Sequence, residues 1–205
     1  MKPSFINISI IIFSISIHLL AQSKAKVYWT SGNSKYNIAD YAGAILDYDK
    51  AIENDPQYLN AYINRGLAEV KLKNYKEAIQ DYDKAIEIDT DHVVTYTIRG
   101  IAKDSLLNYK GAVQDYNKAI TIKPNDAWTY YNRGNVRYKL GDYQGAIQDY
   151  SKAIDFAPKY AQAYYNRGIA KQKRNDLDGA CLDWSKASEF GDSTASAFIK
   201  KNCVK

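Results

Sequence analysis

Apolar and polar residues alternate with a helical period along most of this chain. Runs of about fourteen residues carry apolar side chains three or four positions apart, the spacing of a helix with one buried face. The stretches 59–72 and 75–88 are one such pair, and the spacing predicts two helices there. Slid against itself by 34 residues, the chain matches through five units, 25–58, 59–92, 93–126, 127–160 and 161–194, without insertion. The fourth place of each unit is Tyr28, Tyr62, Tyr96, Tyr130 or Tyr164, and the eighth is Gly32, Gly66, Gly100, Gly134 or Gly168. Alanine holds the twentieth place (Ala44, Ala78, Ala112, Ala146, Ala180) and the twenty-seventh (Ala51, Ala85, Ala119, Ala153, Ala187). An aromatic residue holds the twenty-fourth: Tyr48, Tyr82, Tyr116, Tyr150, Trp184.

The same spacing explains how each unit folds. Asp40, Asn74, Asn108, Asp142 and Asp176 precede the second helices as N-caps, each accepting a bond from an orphan N–H worth about 1 kcal/mol. Pro56, Pro124 and Pro158 end three of those helices, because proline cannot extend the hydrogen-bond ladder. Glycine and alanine at the eighth and twentieth places let paired helices approach, with the large tyrosines filling the space on either side. One pair cannot bury its apolar face alone, so neighbouring units must stack.

The pattern resembles the tetratricopeptide repeat (TPR) family over all of 25–194. The resemblance implies an all-α fold: an α-solenoid, or superhelix, of five helix-turn-helix units with the first helices lining its concave side. A short helix at 194–203 is expected to cap the last unit, with Ala197 and Phe198 inward and Lys200 and Lys201 outward. The repeat region is then 24–205.

Residues 1–23 read differently. Lys2, a diluted apolar run from Phe5 to Leu20, and the small residues Ala21 and Ser23 have the layout of a secretory signal peptide. Cleavage after Ala21 and after Ser23 are both compatible with it, and an uncleaved membrane anchor is the alternative. The expected location is outside the cytoplasm: periplasmic, envelope-associated or secreted.

Composition narrows the function. A net charge of +5 with both signs interspersed gives no reason to expect a nucleic-acid partner. Two histidines and two cysteines leave almost no material for a metal site. No nucleophile elbow, phosphate-cradling loop or His-Glu-x-x-His motif is present, so no catalytic residue and no cofactor are expected. Arg65, Arg99, Arg133 and Arg167 stand sixteen residues before Asp81, Asp115, Asp149 and Asp183, which reads as a repeated structural ion pair. Lys84, Lys118, Lys152 and Lys186 follow those aspartates by three and are expected to pair with them weakly. Cys181 and Cys203 lie at matching heights if the last two helices are antiparallel about the turn near 190–193, so a disulfide between them is expected.

The remaining candidate is the concave face. The resemblance implies that it binds a protein or peptide segment. It also implies that the second, fifth, sixth, ninth and twelfth places of each unit point there. One zone, around Ile63, Leu67, Val94, Ile98 and Ile101, is apolar. The other combines Trp128, Tyr131, Asn132, Asn135, Tyr165 and Asn166 with Tyr138, Lys139, Gln172 and Lys173. Asn64, Asn132 and Asn166 are the first choices for ligand contact, since an amide both donates to and accepts from an extended backbone. The alternative is that these asparagines serve the helix or water. Some TPR domains clamp acidic carboxyl tails. Asn33 and Asn64 match that clamp, but Trp29, Val94 and Ile98 stand where its basic residues belong, so it is absent from the first three units. The expectation is a non-enzymatic adaptor in envelope or secretion-related assembly. A membrane-anchored assembly factor and an envelope glycan binder are the alternatives, and the first unit could self-associate.

Overall fold

A computed structural model describes residues 5–203, with side chains from Leu19 onward. The start of the expected leader, and the side chains of most of it, lie outside the described residues. Eleven helices and no strands are present among the described residues: α1 Phe5–Asn37, α2 Tyr41–Asn54, α3 Leu59–Lys71, α4 Tyr75–Ile88, α5 Val93–Ser105, α6 Tyr109–Ile122, α7 Ala127–Lys139, α8 Tyr143–Phe156, α9 Ala161–Lys173, α10 Leu177–Glu189 and α11 Ser193–Asn202. The fold is all-α, of the helical-repeat solenoid class. No described helix is long and apolar enough to cross a membrane.

The chain divides after Thr95 into two compact units. In the first, α1 packs on α2, α2 on α3 and α3 on α4. In the second, each of α6 to α10 packs on the helix that follows it.

In each helix pair an aromatic ring lies directly against a glycine. Tyr48, Tyr82, Tyr116, Tyr150 and Trp184 are at most 1% exposed. A Cβ added to Gly32, Gly66, Gly100, Gly134 or Gly168 would lie 2.5–2.8 Å from an atom of the facing ring. The rings therefore lie over the glycines rather than beside them. Alanines at the twentieth and twenty-seventh places are fully buried in all five pairs.

Four of the five expected N-caps form. Asp40, Asn108, Asp142 and Asp176 accept from the backbone N–H of Gly43, Gly111, Gly145 and Gly179. Asn74 does not; its Nδ2 donates instead to Glu69 Oε2 at 2.7 Å. Each of the four formed caps has glycine three residues on. The second repeat has Glu77 there. Proline is not needed to end the second helices, because α4 stops at Ile88 with Thr90 in the proline's place.

The turn between paired helices is left-handed in every repeat, a feature unread in the sequence. Ala39, Lys73, Leu107, Gly141 and Asn175 have φ between 61° and 80°. The N–H of Gly141 bonds Tyr138 O and that of Asp142 bonds Arg137 O, the two bonds of a Schellman ending. Only one of the five is glycine.

A charged ladder ties first helices to second helices. Asp81, Asp115, Asp149 and Asp183 are at most 4% exposed, and each takes paired bonds from Arg65, Arg99, Arg133 or Arg167. A second cation reaches three of them: Lys103 to Asp115 at 2.8 Å, Arg137 to Asp149 at 3.0 Å and Lys171 to Asp183 at 2.8 Å. In the second repeat Glu69 holds that place. Burial, together with Glu69, pushes the Asp81 carboxyl up despite Arg65. The first repeat belongs to the ladder too, with Asp47 bound by Lys35 at 2.7 Å and by Ser31 Oγ at 2.6 Å. Three of the four lysines expected to reach back to the aspartates turn outward instead. Lys84 pairs with Glu87, Lys152 with Asp155 and Lys186 with Glu189, which lie three residues on and stay exposed.

At the carboxyl end, α11 covers α10. Cys181 and Cys203 are joined by a disulfide with Cα atoms 5.7 Å apart. Phe198 packs on Trp184, with ring centroids 5.3 Å apart. Ala195, not Ala197, is the buried alanine, because the helix starts at Ser193 under an Asp192 cap and that start sets its phase.

Two stability predictions follow from these contacts. Leu107, 70% exposed at φ 61°, sits in a conformation that costs a side-chain residue about 1–2 kcal/mol. Leu107→Gly is expected to raise the melting temperature and Gly141→Leu to lower it, as read by calorimetry. The second concerns Asp47, whose carboxyl is held below its ordinary 3.8: burial raises it, and Lys35 and Ser31 outweigh burial. A lowered carboxyl stabilises the fold above its unfolded pKa and loses that contribution as pH falls through its folded value. Urea unfolding should therefore show Asp47→Asn weaker than the parent at pH 7, with the gap closing below about pH 4.

Candidate functional site

Two amide pairs stand out, one in each unit. Their residues come from the ninth place of one repeat and the sixth place of the next. In the first unit, Asn64 Nδ2 on α3 donates to Asn33 Oδ1 on α1 at 2.7 Å. The same oxygen accepts from Tyr48 Oη at 2.9 Å. In the second unit, Asn166 Nδ2 on α9 donates to Asn135 Oδ1 on α7 at 2.9 Å, and Tyr150 Oη donates to that oxygen at 2.9 Å. Asn166 Nδ2 also reaches Tyr131 Oη at 3.1 Å. Burial pushes the Tyr48 hydroxyl up to about 12, and burial also raises Tyr150, so both phenols remain donors at neutral pH. Each pair is half-buried, with one face toward solvent.

Where the ninth place is apolar, the motif fails. Leu67 replaces asparagine in the second repeat, and the fully buried Tyr82 hydroxyl has no hydrogen-bond partner. Ile101 replaces it in the third. Asn132 then has no amide at that place and turns to its own helix, donating to Trp128 O at 2.8 Å. For Asn132 the structure thus shows the helix-serving arrangement. Asn64 and Asn166 each use an amide N–H on a neighbouring repeat.

The aromatic and apolar candidates divide similarly. Ile63 and Ile98 are only 8% exposed and belong to the core, so neither offers surface to a ligand. Ile101 packs against the core of Ala112, Tyr116 and Val136. Leu67 is half-buried. With Asn33, Tyr36, Asn37, Tyr48 and Asn64 it lines a cavity of about 300 Å³ in the first unit. In the second unit Tyr131 packs against Tyr160 at 4.8 Å, Tyr165 meets Phe198 edge-on at 5.3 Å, and Trp128 stays 40% exposed. Lys139 is held by Asp104 at 2.7 Å, Gln172 donates to Asn202 Oδ1 at 3.2 Å, and Lys173 is exposed. Tyr36, Asn37 and Tyr48 are the lining residues that sequence reasoning missed. The available signal was asparagine at both the ninth place of one repeat and the sixth place of the next, which occurs only for Asn33 with Asn64 and Asn135 with Asn166.

Among the described residues no cluster of three or more His, Cys, Asp or Glu could hold a metal ion. The ring Nδ1 of His92 lies 2.7 Å from Thr95 Oγ1 at the start of α5.

Helix pairs with a 34-residue period, closed by ring-on-glycine contacts and edged by surface amides, define a helical-repeat interaction protein. Tetratricopeptide repeat profiles match residues 25–58 and 59–92, and a TPR repeat profile matches 108–141 and 134–175. The chain belongs to the tetratricopeptide repeat family. Its fold is that of a protein–protein interaction module. No curated protein matches the sequence. Among solved structures, a crystal structure of MamA is 27% identical with a TM-score of 0.74, covering 80% of this chain and 96% of that one. YrrB, a TPR protein described as having an unusual peptide-binding site, shares the fold at 23% identity and TM-score 0.70, with coverage of 85% and 90%. PilF of Pseudomonas aeruginosa shares it at 17% identity and TM-score 0.76, with coverage of 84% and 79%.

The two tyrosine environments differ in a way mutation can read. A neutral hydrogen bond contributes about 1 kcal/mol net, whereas a buried unpaired hydroxyl is a cost. Tyr150→Phe should lower stability by about 1 kcal/mol in denaturant unfolding, and Tyr82→Phe should leave it unchanged or raise it.

Proposed function

We propose that the protein does no chemistry and binds an extended segment of a protein partner at a face carrying a surface amide pair: Asn135–Asn166 in the second unit, with Asn33–Asn64 the equivalent pair in the first. The observation that supports this reading is the Asn135–Asn166 pair with Tyr131 and Tyr165 beside it. Its amides are held by Tyr150 and by each other, so they are positioned before a ligand arrives. Pre-positioned groups lose less entropy on binding. Asn166 keeps its Oδ1 as an acceptor and Asn135 its Nδ2 as a donor, and a peptide backbone offers partners for both. Aromatic neighbours add contact area. The peptide-binding site described for YrrB is in keeping with this reading. Of the apolar zone, Ile63 and Ile98 belong to the core, while Leu67 and the exposed Val94 keep surface for contact. Asn132 drops from first choice because its amide serves its own helix.

The setting belongs to the same proposal. The apolar leader with small residues at its end, and a disulfide formed by the chain's two cysteines, suit an exported protein acting in the cell envelope.

The test is affinity capture from envelope extract with residues 22–205 as bait, against the same bait carrying Asn166→Ala and Tyr131→Ala. Circular dichroism checks that both are helical. Loss of a partner with the variant alone is the expected result. Equal capture by both baits would move the site off this face, and enrichment of glycan in place of protein would favour a sugar-binding role.

A further inference from the structure

We infer that the Cys181–Cys203 disulfide is a redox latch holding α11 over the end of the last repeat. The inference concerns regulation of the proposed binding face and rests on that reading only for its consequence. The latch itself stands on the geometry of α10 and α11.

The helix α11 has ten residues, short for a helix that must hold itself in water. Ala195 is its one fully buried residue. Beyond that alanine it is held by Phe198 on Trp184 and Tyr165, by Ile199, and by two side-chain bonds, Gln172 to Asn202 and Ser188 to Ser196. The covalent link sits at its far end, at Cys203, while its start is fixed by the short turn from α10. Cutting the link leaves one end tethered and the other free.

What α11 covers matters. Phe198 lies against Tyr165, and Asn202 accepts from Gln172. Both partners are on α9, the helix that also carries Asn166. Release of α11 uncovers Tyr165, Ile169 and Gln172 beside the Asn135–Asn166 pair. Closed, the latch blocks that end of the face, and open, it extends it.

The bond is also reachable. Cys181 and Cys203 are half-buried and line an open cleft of about 360 Å³ with Leu177, Leu182 and Asn202. A dithiol reductant supplies the electrons. Its thiolate attacks one cysteine sulfur, the protein S–S bond breaks, and the other cysteine leaves as a thiolate that takes up a proton. The second thiol of the reductant then displaces the mixed disulfide. The protein ends with two thiols and the reductant with a disulfide.

Hydrogen exchange on the full chain, oxidised and after dithiothreitol, tests this. The Cys181→Ser, Cys203→Ser variant repeats it without reductant. The expected result is amide exchange in 193–203 at least tenfold faster in the reduced protein and in the variant, with α7 to α9 unchanged. Acrylamide quenching of Trp184, read in a Trp29→Phe, Trp128→Phe background, should rise in parallel. Unchanged exchange in 193–203 would overturn the latch, and so would loss of protection throughout α7 to α10, which would make the bond a general staple. Neither readout needs a ligand. A face that binds no partner therefore leaves the latch standing, and a latch that never opens leaves the face standing.

Discussion

An aromatic ring laid on a glycine is the contact from which the rest of this structure follows. It occurs once in each helix pair, and at each glycine a single added carbon would collide with the ring. Because the ring can approach so closely, the alanines at the twentieth and twenty-seventh places are sealed from water. The ring also aims its polar edge. The hydroxyls of Tyr48 and Tyr150 emerge where the ninth residue of the first helix can accept from them. Asn33 and Asn135 are thus oriented from beneath by the same side chain that closes the pair.

The charged ladder is a second constraint, and it is costly if incomplete. A buried carboxylate needs its cation, since an unpaired one loses several kcal/mol of solvation, on the order of 3–5 when a partner is removed. The arginines supply two bonds each, and a second cation follows in most repeats. The second repeat is the exception on several counts. It lacks the second cation, its N-cap is open, and its ring hydroxyl is unpaired. Glu69 stands in the second cation's place and takes the bond of Asn74, and Leu67 leaves the ring hydroxyl without its acceptor. The repeat tolerates them because its ring-on-glycine contact and its Arg65–Asp81 pair are intact.

In the proposed reading, function turns on which surface amides are held ready. Repetition supplies the same scaffold five times, and single departures from the repeat make one position differ from the next. Asparagine at the ninth place appears in the first and fourth repeats, and only there does an amide pair form. The last repeat differs again, because α11 and its disulfide lie over it.

The chain alone carried the helices, the period, the small-and-large pattern of the core and four of the N-caps. These are local or strictly repeated properties, legible because a helix shows its buried face every three or four residues. It also placed Arg65 and its equivalents opposite Asp81 and its equivalents, since sixteen residues join the two helices of a pair in every repeat. Which asparagines meet is set by how the repeats stack. Asn33 and Asn64 are 31 residues apart and touch because one repeat stacks on the next. Asn132, with the same neighbours in sequence as Asn166, found isoleucine in place of that partner and bonded its own helix instead. Burial of Ile63 and Ile98, the left-handed turns at Lys73 and Leu107, and Ala195 rather than Ala197 under the last helix were decided in the same way. Each depends on the angle and phase at which packed helices meet, and a linear pattern does not carry that angle.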